Sequence, residues 1–586
     1  MVLFTIRCIE PWASCFLYKC NMFIAWRLRY RMMDGKTKES LKNNRIIIWI
    51  CTLSALVIYL PRIVNQNIGI DSASDLVGGD DQFLRLGRWG LYLIQKLLLA
   101  DHLNPLFTSA SAVFFLVLGA MLWVMALEEA KDGVGWNSLR EDLSDTSGNR
   151  RFLDQLRYAG FTVFYVSSPV WAENIYFSHQ SFAVLLGTAL CPVEVMLIFR
   201  RFGCDLRKIR ISSLFSWETF GTVLLGTFIC SIYQPLFFLL CAGMAGIYLI
   251  RARQEANKDE SNYPLSFFTY AAAVLLFSGF VYLLISFILK RIILRIPGNS
   301  YLSGMLVPWN RTKLLMVFSY LYKLFLDDIS ALHRFTDPLI QSAGGYGIYS
   351  VENFHGTACI CCVLYLPAFI VYIRRVFGFH GAAKWLYRLV GMALPVLVLV
   401  PALAGSGDPM IRVQMALAFG GAFLLWLVSS GKTKRMRIIW TCLLLLAAWF
   451  QVQKSASLIA SDQIRYEKDA ALTRDIANDI AQFGNSDEKQ VLLLGAYHPE
   501  HNTGYREGEL LGKSCFFYDA LGNKTGATRQ GLIFMKALGY SFQGIEEGDE
   551  KLSFLKEQSE RMPSYPEHGY IQEEGNYIIV KLSDEN

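Results

Sequence analysis

The sequence contains little charge for its length. Only 18% of its 586 residues are charged, whereas 53% are hydrophobic; soluble domains carry about 25% charged residues. Apolar runs near 20 residues recur along the chain, and each is long enough to cross a hydrocarbon core roughly 30 Å thick. Three examples are 46–60, 107–127 and 440–452. This composition excludes an ordinary soluble protein and indicates a polytopic protein whose partner is the lipid bilayer.

Several motifs are also missing. The chain contains no Walker-type phosphate loop, no HExxH and no paired CxxC motifs, so coupling to ATP is not visible. Most of the 13 cysteines lie in apolar segments, and the Cys359–Cys362 run is interpreted as helix packing, not a metal site. The net charge of +7 is what cytoplasmic Lys/Arg clusters produce in membrane proteins, and it does not indicate nucleic-acid binding.

The positions of the basic clusters predict the topology. If they are all cytoplasmic, about eleven transmembrane helices follow, with the N-terminus inside and the C-terminus outside. The predicted spans are 45–64, 105–127, 158–176, 181–199, 213–231, 235–250, 264–289, 357–373, 386–404, 412–429 and 437–453. This pattern predicts an α-helical polytopic membrane fold.

Three regions follow from this topology. Residues 1–44 form a basic cytoplasmic segment without a secretory cleavage site, and translation starts either at Met1 or at Met32 or Met33. Residues 45–453 form the membrane domain. Residues 454–586 have soluble composition and predict a small extracytoplasmic α/β domain, with a helix at 465–483 and strands at 490–497 and 577–583.

The stretch LVGGDDQFLRLGRWG (76–90) follows the first span and faces outward in this topology. A helix over 81–96 would place Asp81, Arg85 and Arg88 on one face. The charges either pair with one another in solvent or form a site. A carboxylate near arginines at interface depth can take a hydroxyl proton and stabilise a departing phosphate, for which arginine offers two parallel donors.

Four segments, taken in order, resemble the bacterial O-antigen glucosyltransferase family of the serotype-converting type, which has a GT-C membrane fold. They are the acidic pair followed by an arginine and GRW, SPVWAENIYFSHQSF (168–182), SIYQPLFFLL (231–240) and ASDQIRYEKDAALTRDIANDI (460–480). The resemblance covers roughly residues 70–480. It implies transfer of a glucosyl or similar residue from a polyprenyl-phosphate carrier, with an acidic residue of the first outer loop as base. That residue is Asp80 or Asp81, and any divalent metal there would be Mg²⁺ or Mn²⁺.

Other candidates lie on the predicted outer side. Glu173 and His179 either line an acceptor groove or belong to a solvated loop, and Arg412 is either a phosphate ligand or extends to the membrane surface. Gln234 either satisfies backbone groups freed by Pro235, which is the favoured interpretation, or contacts the substrate. The stretch 290–313, which includes Arg311, is basic although it lies on the predicted outer side, where basic residues are usually few. This suggests binding of an anionic headgroup or carrier phosphate. The two histidines of YHPEH (497–501) are interpreted as solvent-exposed.

The resulting prediction is a glycosyltransferase that uses a polyprenyl-phosphate-sugar donor. Its acceptor is a surface polysaccharide or a lipid-linked glycan outside the cytoplasm. The alternative is a flippase for lipid-linked sugars, which needs ionisable residues near the membrane midplane. Glu194 and Glu218 are the main acids within predicted spans.

Overall fold

The structure is a computed structural model that describes residues 44–65, 67–77, 82–98, 105–132, 148–205, 216–255, 263–295, 359–380, 383–404, 411–431, 433–484, 488–499, 508–517, 520 and 523–584. The chain divides into two compact units, Met1–Ile50 and Cys51–Asn586. The described part of the first unit is Asn44 and the beginning of one helix. The helix bundle, the sheet and the candidate site all belong to the second unit.

Helices dominate the described residues. The first half of the chain contains α1 (Arg45–Val64), α2 (Ile70–Val77), α3 (Gln82–Arg85), α4 (Trp89–Leu97), α5 (Pro105–Asp132), α6 (Gly148–Val166), α7 (Pro169–Tyr176), α8 (Ser181–Asp205), α9 (Trp217–Ile232), α10 (Leu236–Glu255) and α11 (Tyr263–Phe287), which a π-helix (Ile288–Ile293) extends. The second half contains α12 (Cys359–Phe377), α13 (Lys384–Ala404), a 3₁₀ turn (Ile411–Val413), α14 (Met415–Val428), α15 (Lys434–Ile480), α16 (Thr528–Ala537) and α17 (Leu552–Ser559).

Seven of the described helices are long and apolar enough to cross a membrane. They are α1, α5, α8, α10, α11 with its extension, α13 and α15, and α9 and α14 are shorter apolar helices. The protein is therefore a mostly helical polytopic membrane protein. The total of about eleven spans remains a prediction.

The expected span 158–176 is instead two helices, α6 and α7, separated at Ser167 and Ser168. The last carbonyl groups of a helix lack partners within it, and here each of the four from Phe164 to Ser167 accepts a hydrogen bond from a side chain. The donors in order are Gln451 (2.8 Å), Trp171 (2.7 Å), Tyr59 (2.9 Å) and Ser455 (2.6 Å). Pro169 then begins α7 at a position that needs no backbone donor. This break places the 169–180 segment at the end of the bundle.

The last membrane helix and the expected helix 465–483 form one continuous helix, α15, of 47 residues. No glycine or proline interrupts the sequence between Lys434 and Ile480, so nothing in it terminates the helix early. At 1.5 Å per residue α15 is about 70 Å long, more than twice the thickness of a hydrocarbon core. The predicted domain boundary at 453–454 therefore falls inside a helix, and the division of the chain into three regions remains a prediction.

The C-terminal residues contain a four-stranded sheet. Its strands are β1 (Gln490–Leu494), β2 (Gln543–Gly544), β3 (Ile571–Glu574) and β4 (Tyr577–Lys581), in the order β2-β1-β4-β3. The central strands β1 and β4 are parallel, with Gln490 opposite Tyr577, while β3 and β4 form an antiparallel hairpin. The expected strands at 490–497 and 577–583 are confirmed as β1 and β4. Each observed strand ends a few residues before the expected end.

A buried arginine connects the end of α1 to the rest of the bundle. Arg62, at 1% side-chain exposure, donates to the carbonyls of Asn67 and Tyr176 (both 2.8 Å) and to the Ser178 hydroxyl (2.7 Å). It also pairs with Asp462 of α15 at 3.4 Å. Because all these groups are buried, the guanidinium fixes the ends of α1 and α7 relative to the middle of α15.

A second buried arginine on α15 extends this network. Arg465 donates to Asp462 (2.7 Å) and to the Ile68 carbonyl (3.0 Å), and it lies 3.5 Å from Asp469. Asp469 in turn accepts a hydrogen bond from the Cys515 backbone N–H at 2.9 Å. The network of Arg62, Asp462, Arg465 and Asp469, named here the buried ion network, therefore reaches the C-terminal region.

Replacing Asp462 by asparagine should destabilise the protein strongly, because it leaves two buried guanidinium groups without their shared carboxylate. We expect a loss of about 3–5 kcal/mol in the free energy of unfolding, measured by SDS-induced unfolding in mixed micelles. The control is Glu467→Gln on the same helix, where the side chain is exposed and the change should stay within about 0.5 kcal/mol. Equal stability of the two variants would show that the network is not needed.

Candidate functional site

The acidic pair Asp80 and Asp81 lies outside the described residues, which resume at α3. The helix expected over 81–96 is wrong in one respect, because it is interrupted between α3 and α4. Gly87 adopts a left-handed φ of +78°, a conformation that favours glycine, and the Arg88 N–H donates back to the Phe83 carbonyl at 2.8 Å. Arg85 and Arg88 consequently do not share a face of one helix.

The two arginines of this loop have different surroundings. The Arg85 side chain is exposed, whereas the Arg88 side chain is partly buried. Arg88 donates to the Gln180 amide oxygen at 3.0 Å, and its guanidinium carbon lies 4.5 Å from the centroid of the Tyr233 ring. Arg88, the residue just before α4, is thus held in the fold by a hydrogen bond and a cation–π contact.

The turn Phe177–Gln180, between α7 and α8, lies at the centre of the site. Each of its four residues contacts a different segment of the chain. The contacts are Phe177 with Arg412 (4.9 Å from guanidinium carbon to ring centroid), Ser178 with Arg62 (2.7 Å), His179 with Phe83 (stacked rings, 6.3 Å) and Gln180 with Arg88 (3.0 Å). The His179 carbonyl additionally accepts from the Gln95 amide at 2.8 Å. This turn is therefore packed, not a solvated loop.

Glu173 is fully buried on α7 and binds the C-terminal region. Its carboxylate accepts backbone N–H bonds from Glu509 (2.6 Å) and Leu510 (3.2 Å). Gly508 lies against the same carboxylate so closely that any β-carbon there would collide with it. Burial, followed by the nearby charge of Glu509, raises the pKa of Glu173 from 4.5 to about 8. The solvated alternative for Glu173 is therefore wrong, and the same holds for His179, which is 7% exposed.

Arg412 lies on the opposite side of the 177–180 turn from Arg88. Its guanidinium pairs with the Glu509 carboxylate at 3.1 Å, and its backbone N–H donates to the second carboxylate oxygen at 3.2 Å. The side chain is 15% exposed, so it does not extend to the membrane surface. Glu509 already neutralises this arginine. Arg311, the remaining predicted phosphate ligand, lies outside the described residues.

A family model described as Glucosyl transferase GtrII matches residues 60–425, which is more than half of the chain. The chain belongs to this family. The resemblance to the serotype-converting glucosyltransferases is thereby confirmed, and the protein is a membrane glucosyltransferase by family. No curated protein and no solved structure matches the chain. The matched region includes Arg62, Arg88, Glu173 and Arg412 and ends before α15 and the sheet.

In this glucosyltransferase several residues of the site were missed by sequence reasoning. Arg62 and Asp462 belong to apolar or mixed segments that are 400 residues apart, and only the charge at the end of an apolar span signals Arg62. Gln234 was expected to satisfy backbone groups near Pro235. Instead it donates to the Leu86 carbonyl (2.8 Å) and the Tyr282 hydroxyl (2.9 Å), and so holds the turn before Arg88.

A metal site is not formed by the described residues of this glucosyltransferase, in which no three His, Cys, Asp or Glu side chains cluster as metal ligands. His498 packs against the Phe517 ring at 4.5 Å. Since Asp80 and Asp81 lie outside that part of the chain, Mg²⁺ or Mn²⁺ on this pair remains a prediction.

The raised pKa of Glu173 predicts a pH dependence of stability. Between pH 4.5 and about 8 the folded protein keeps the Glu173 proton while the unfolded chain releases it, so stability falls as pH rises through this window. Glu173→Gln should flatten that slope, because the amide cannot ionise. The measurement is the Tm of purified protein in detergent from pH 5.5 to 8.5.

Glu557→Gln is the matched control, since Glu557 is exposed on α17 and its loss should leave the slope unchanged. A wild-type slope that is retained in Glu173→Gln would contradict the assignment of this titration to Glu173.

Proposed function

We propose that the protein transfers a glucosyl or similar residue from a polyprenyl-phosphate-linked donor to a surface polysaccharide or a lipid-linked glycan. The transfer takes place on the extracytoplasmic side of the membrane. The observation that carries this proposal is the position of Arg88. It follows the acidic pair by seven residues and is held by Gln180 and Tyr233 next to the packed 177–180 turn.

The proposed reaction is a single displacement at the anomeric carbon. Asp80 or Asp81 accepts the proton of the acceptor hydroxyl, and the hydroxyl oxygen attacks the anomeric carbon. The bond from that carbon to the phosphate oxygen breaks, and the phosphate leaves with the bonding electrons. Its negative charge is stabilised by arginine, so no separate general acid is required. The expected result is inversion at the anomeric carbon.

The roles proposed for the other site residues follow from the contacts that each one makes. Arg88 contacts the donor phosphate, and Arg85, which is exposed nearby, supplies further positive charge. Arg412 binds phosphate only if Glu509 releases it. Glu173 on α7 and His179 in the 177–180 turn shape the acceptor side. A divalent ion on Asp80 and Asp81 would assist departure of the phosphate.

The proposed location is the bacterial cytoplasmic membrane, crossed about eleven times. The N-terminus is cytoplasmic, and the region from 454 onward, including the sheet, is outside. The distribution of basic clusters supports this orientation. The helix α15 extends well beyond a hydrocarbon core, so it can carry the sheet out of the membrane on the side where it ends.

One observation favours the alternative function, a transporter of lipid-linked sugars. Glu194 is buried on α8, and neither of its carboxyl oxygens has a hydrogen-bond partner among the described residues. Buried acids of this kind occur in transport pathways. Glu218, in contrast, pairs with Arg201 at 3.2 Å and is half exposed.

Replacing the acidic pair tests the proposed base. At least one of Asp80→Asn and Asp81→Asn should lower transfer by 10²–10⁴-fold, the usual contribution of a general base, with unchanged protein level. The assay measures release of polyprenyl phosphate from a labelled carrier sugar and glucosylation of the surface glycan. Asp71→Asn, an exposed acid on α2, is the control and should retain activity.

Full activity in both single variants and in the double variant would rule out this base. Movement of the labelled sugar across the membrane without release of polyprenyl phosphate would instead establish the transporter.

Thiol labelling tests the proposed orientation. A cysteine at Glu547, exposed between β2 and α17, should react with a membrane-impermeant maleimide in intact spheroplasts. A cysteine at Arg435, exposed at the start of α15, should react only after permeabilisation. The reverse pattern would place the C-terminal region in the cytoplasm and invert the whole topology.

A further inference from the structure

The turn before Arg88 is built against the end of α11. The Gln234 amide donates to the Leu86 carbonyl at 2.8 Å, and the Tyr282 hydroxyl donates to the Gly87 carbonyl at 3.3 Å. Both carbonyls of the turn are therefore occupied by side-chain donors. A β-carbon at position 87 would approach the Lys290 ammonium to 3.0 Å and the Tyr282 hydroxyl to 3.1 Å, so both groups lie on the same side of Gly87.

Lys290 has no partner of its own. The side chain is partly buried, and it makes no hydrogen bond or ion pair with any of the residues that the structure describes. A partly buried ammonium without an acceptor is unfavourable, so this position is suited to an anion from outside the chain.

A second cation reaches the same turn. Arg88 follows Gly87 directly in the chain, and the Tyr282 hydroxyl that donates to the Gly87 carbonyl lies on the same side of Gly87 as the Lys290 ammonium. Both cations therefore adjoin the turn at Gly87. In contrast, Arg412 is already paired with Glu509 at 3.1 Å.

The depth of Lys290 fits a lipid phosphate. The apolar segment Leu265–Ile293 has 29 residues and is about 43 Å long at 1.5 Å per residue. It exceeds a hydrocarbon core of about 30 Å, so a lysine four residues from its end lies near the headgroups. The helix also widens into a π-helix at Ile288–Ile293, a distortion found often at functional sites.

We propose that Lys290 and Arg88 together bind the phosphate of the lipid-linked donor. This inference rests on the proposed function and assigns its phosphate subsite. Lys290 supplies a point charge and Arg88 a planar donor, both at the turn that follows the acidic pair.

Binding of a polyprenyl phosphate to full-length protein in phosphatidylcholine nanodiscs provides the test, with uncharged polyprenol as reference ligand. Lys290→Gln should raise the Kd for polyprenyl phosphate by roughly 10- to 100-fold, as expected for loss of one hydrogen bond between charged groups. Lys290→Arg should restore most of the affinity, and the Kd for polyprenol should not change. Arg291→Gln is the matched control, because Arg291 is the next residue, is exposed and loses the same charge.

A Kd unchanged in Lys290→Gln, or equally raised in Arg291→Gln, overturns the inference. So does an effect of Lys290→Gln that is absent in phosphatidylcholine nanodiscs and arises only when anionic phosphatidylglycerol is added, since Lys290 would then bind an ordinary headgroup. If wild-type protein binds polyprenyl phosphate through Lys290 but never releases it from a carrier sugar, the proposed transfer fails while this subsite stands.

Discussion

The buried pairing of Arg62 and Arg465 with Asp462 is the interaction on which the rest of the site depends. Arg62 holds the carbonyl of Tyr176 and the hydroxyl of Ser178, and so sets the path of the chain into the 177–180 turn. Arg465 holds the carbonyl of Ile68, just before α2. Since all three ionic groups are buried, removing one leaves an uncompensated charge. The network therefore fixes the chain at Ile68, before α2, and it also fixes the 177–180 turn, against which Arg88 packs.

The C-terminal region takes part in the site even though the family match ends at residue 425. The 508–510 segment caps the Glu173 carboxylate, Glu509 pairs with Arg412, and the backbone of Cys515 donates to Asp469. Each contact joins a polar group of the bundle to one of this region. The helix α15 makes this possible, because it extends about 70 Å without a break and carries the sheet to the end of the bundle where the turn lies.

The basic side chains around the site differ in the partners that they already bind. Arg62 and Arg465 bind buried groups inside the protein and serve structure. Arg412 is paired with Glu509, Arg88 is oriented by Gln180 and Tyr233, and Lys290 lacks a partner among the described residues. Basic residues of the same type therefore have different roles because of their surroundings. Arg62 and Arg465 stabilise the fold, Arg412 is held by Glu509, and Lys290 is available to a ligand.

The amino-acid sequence by itself determined the membrane class, the positions of most apolar helices, the strands near 490 and 577, and the family, because these depend on local hydropathy and on ordered motifs. It also pointed to the loop that contains Arg88. It did not reveal the break between α6 and α7, since three of the four side chains that donate to those carbonyls come from α1 and α15. Nor did it show the interruption at Gly87, the burial of Glu173 or the contact between Arg412 and Glu509. Only the tertiary structure decided these features, because each depends on a contact with a distant segment. The partners are 107 to 288 residues away for three of the α6 carbonyls, 148 for the Leu86 carbonyl in the Gly87 turn, 97 for Arg412 and 336 for Glu173. Local sequence cannot specify which polar groups meet in a buried space.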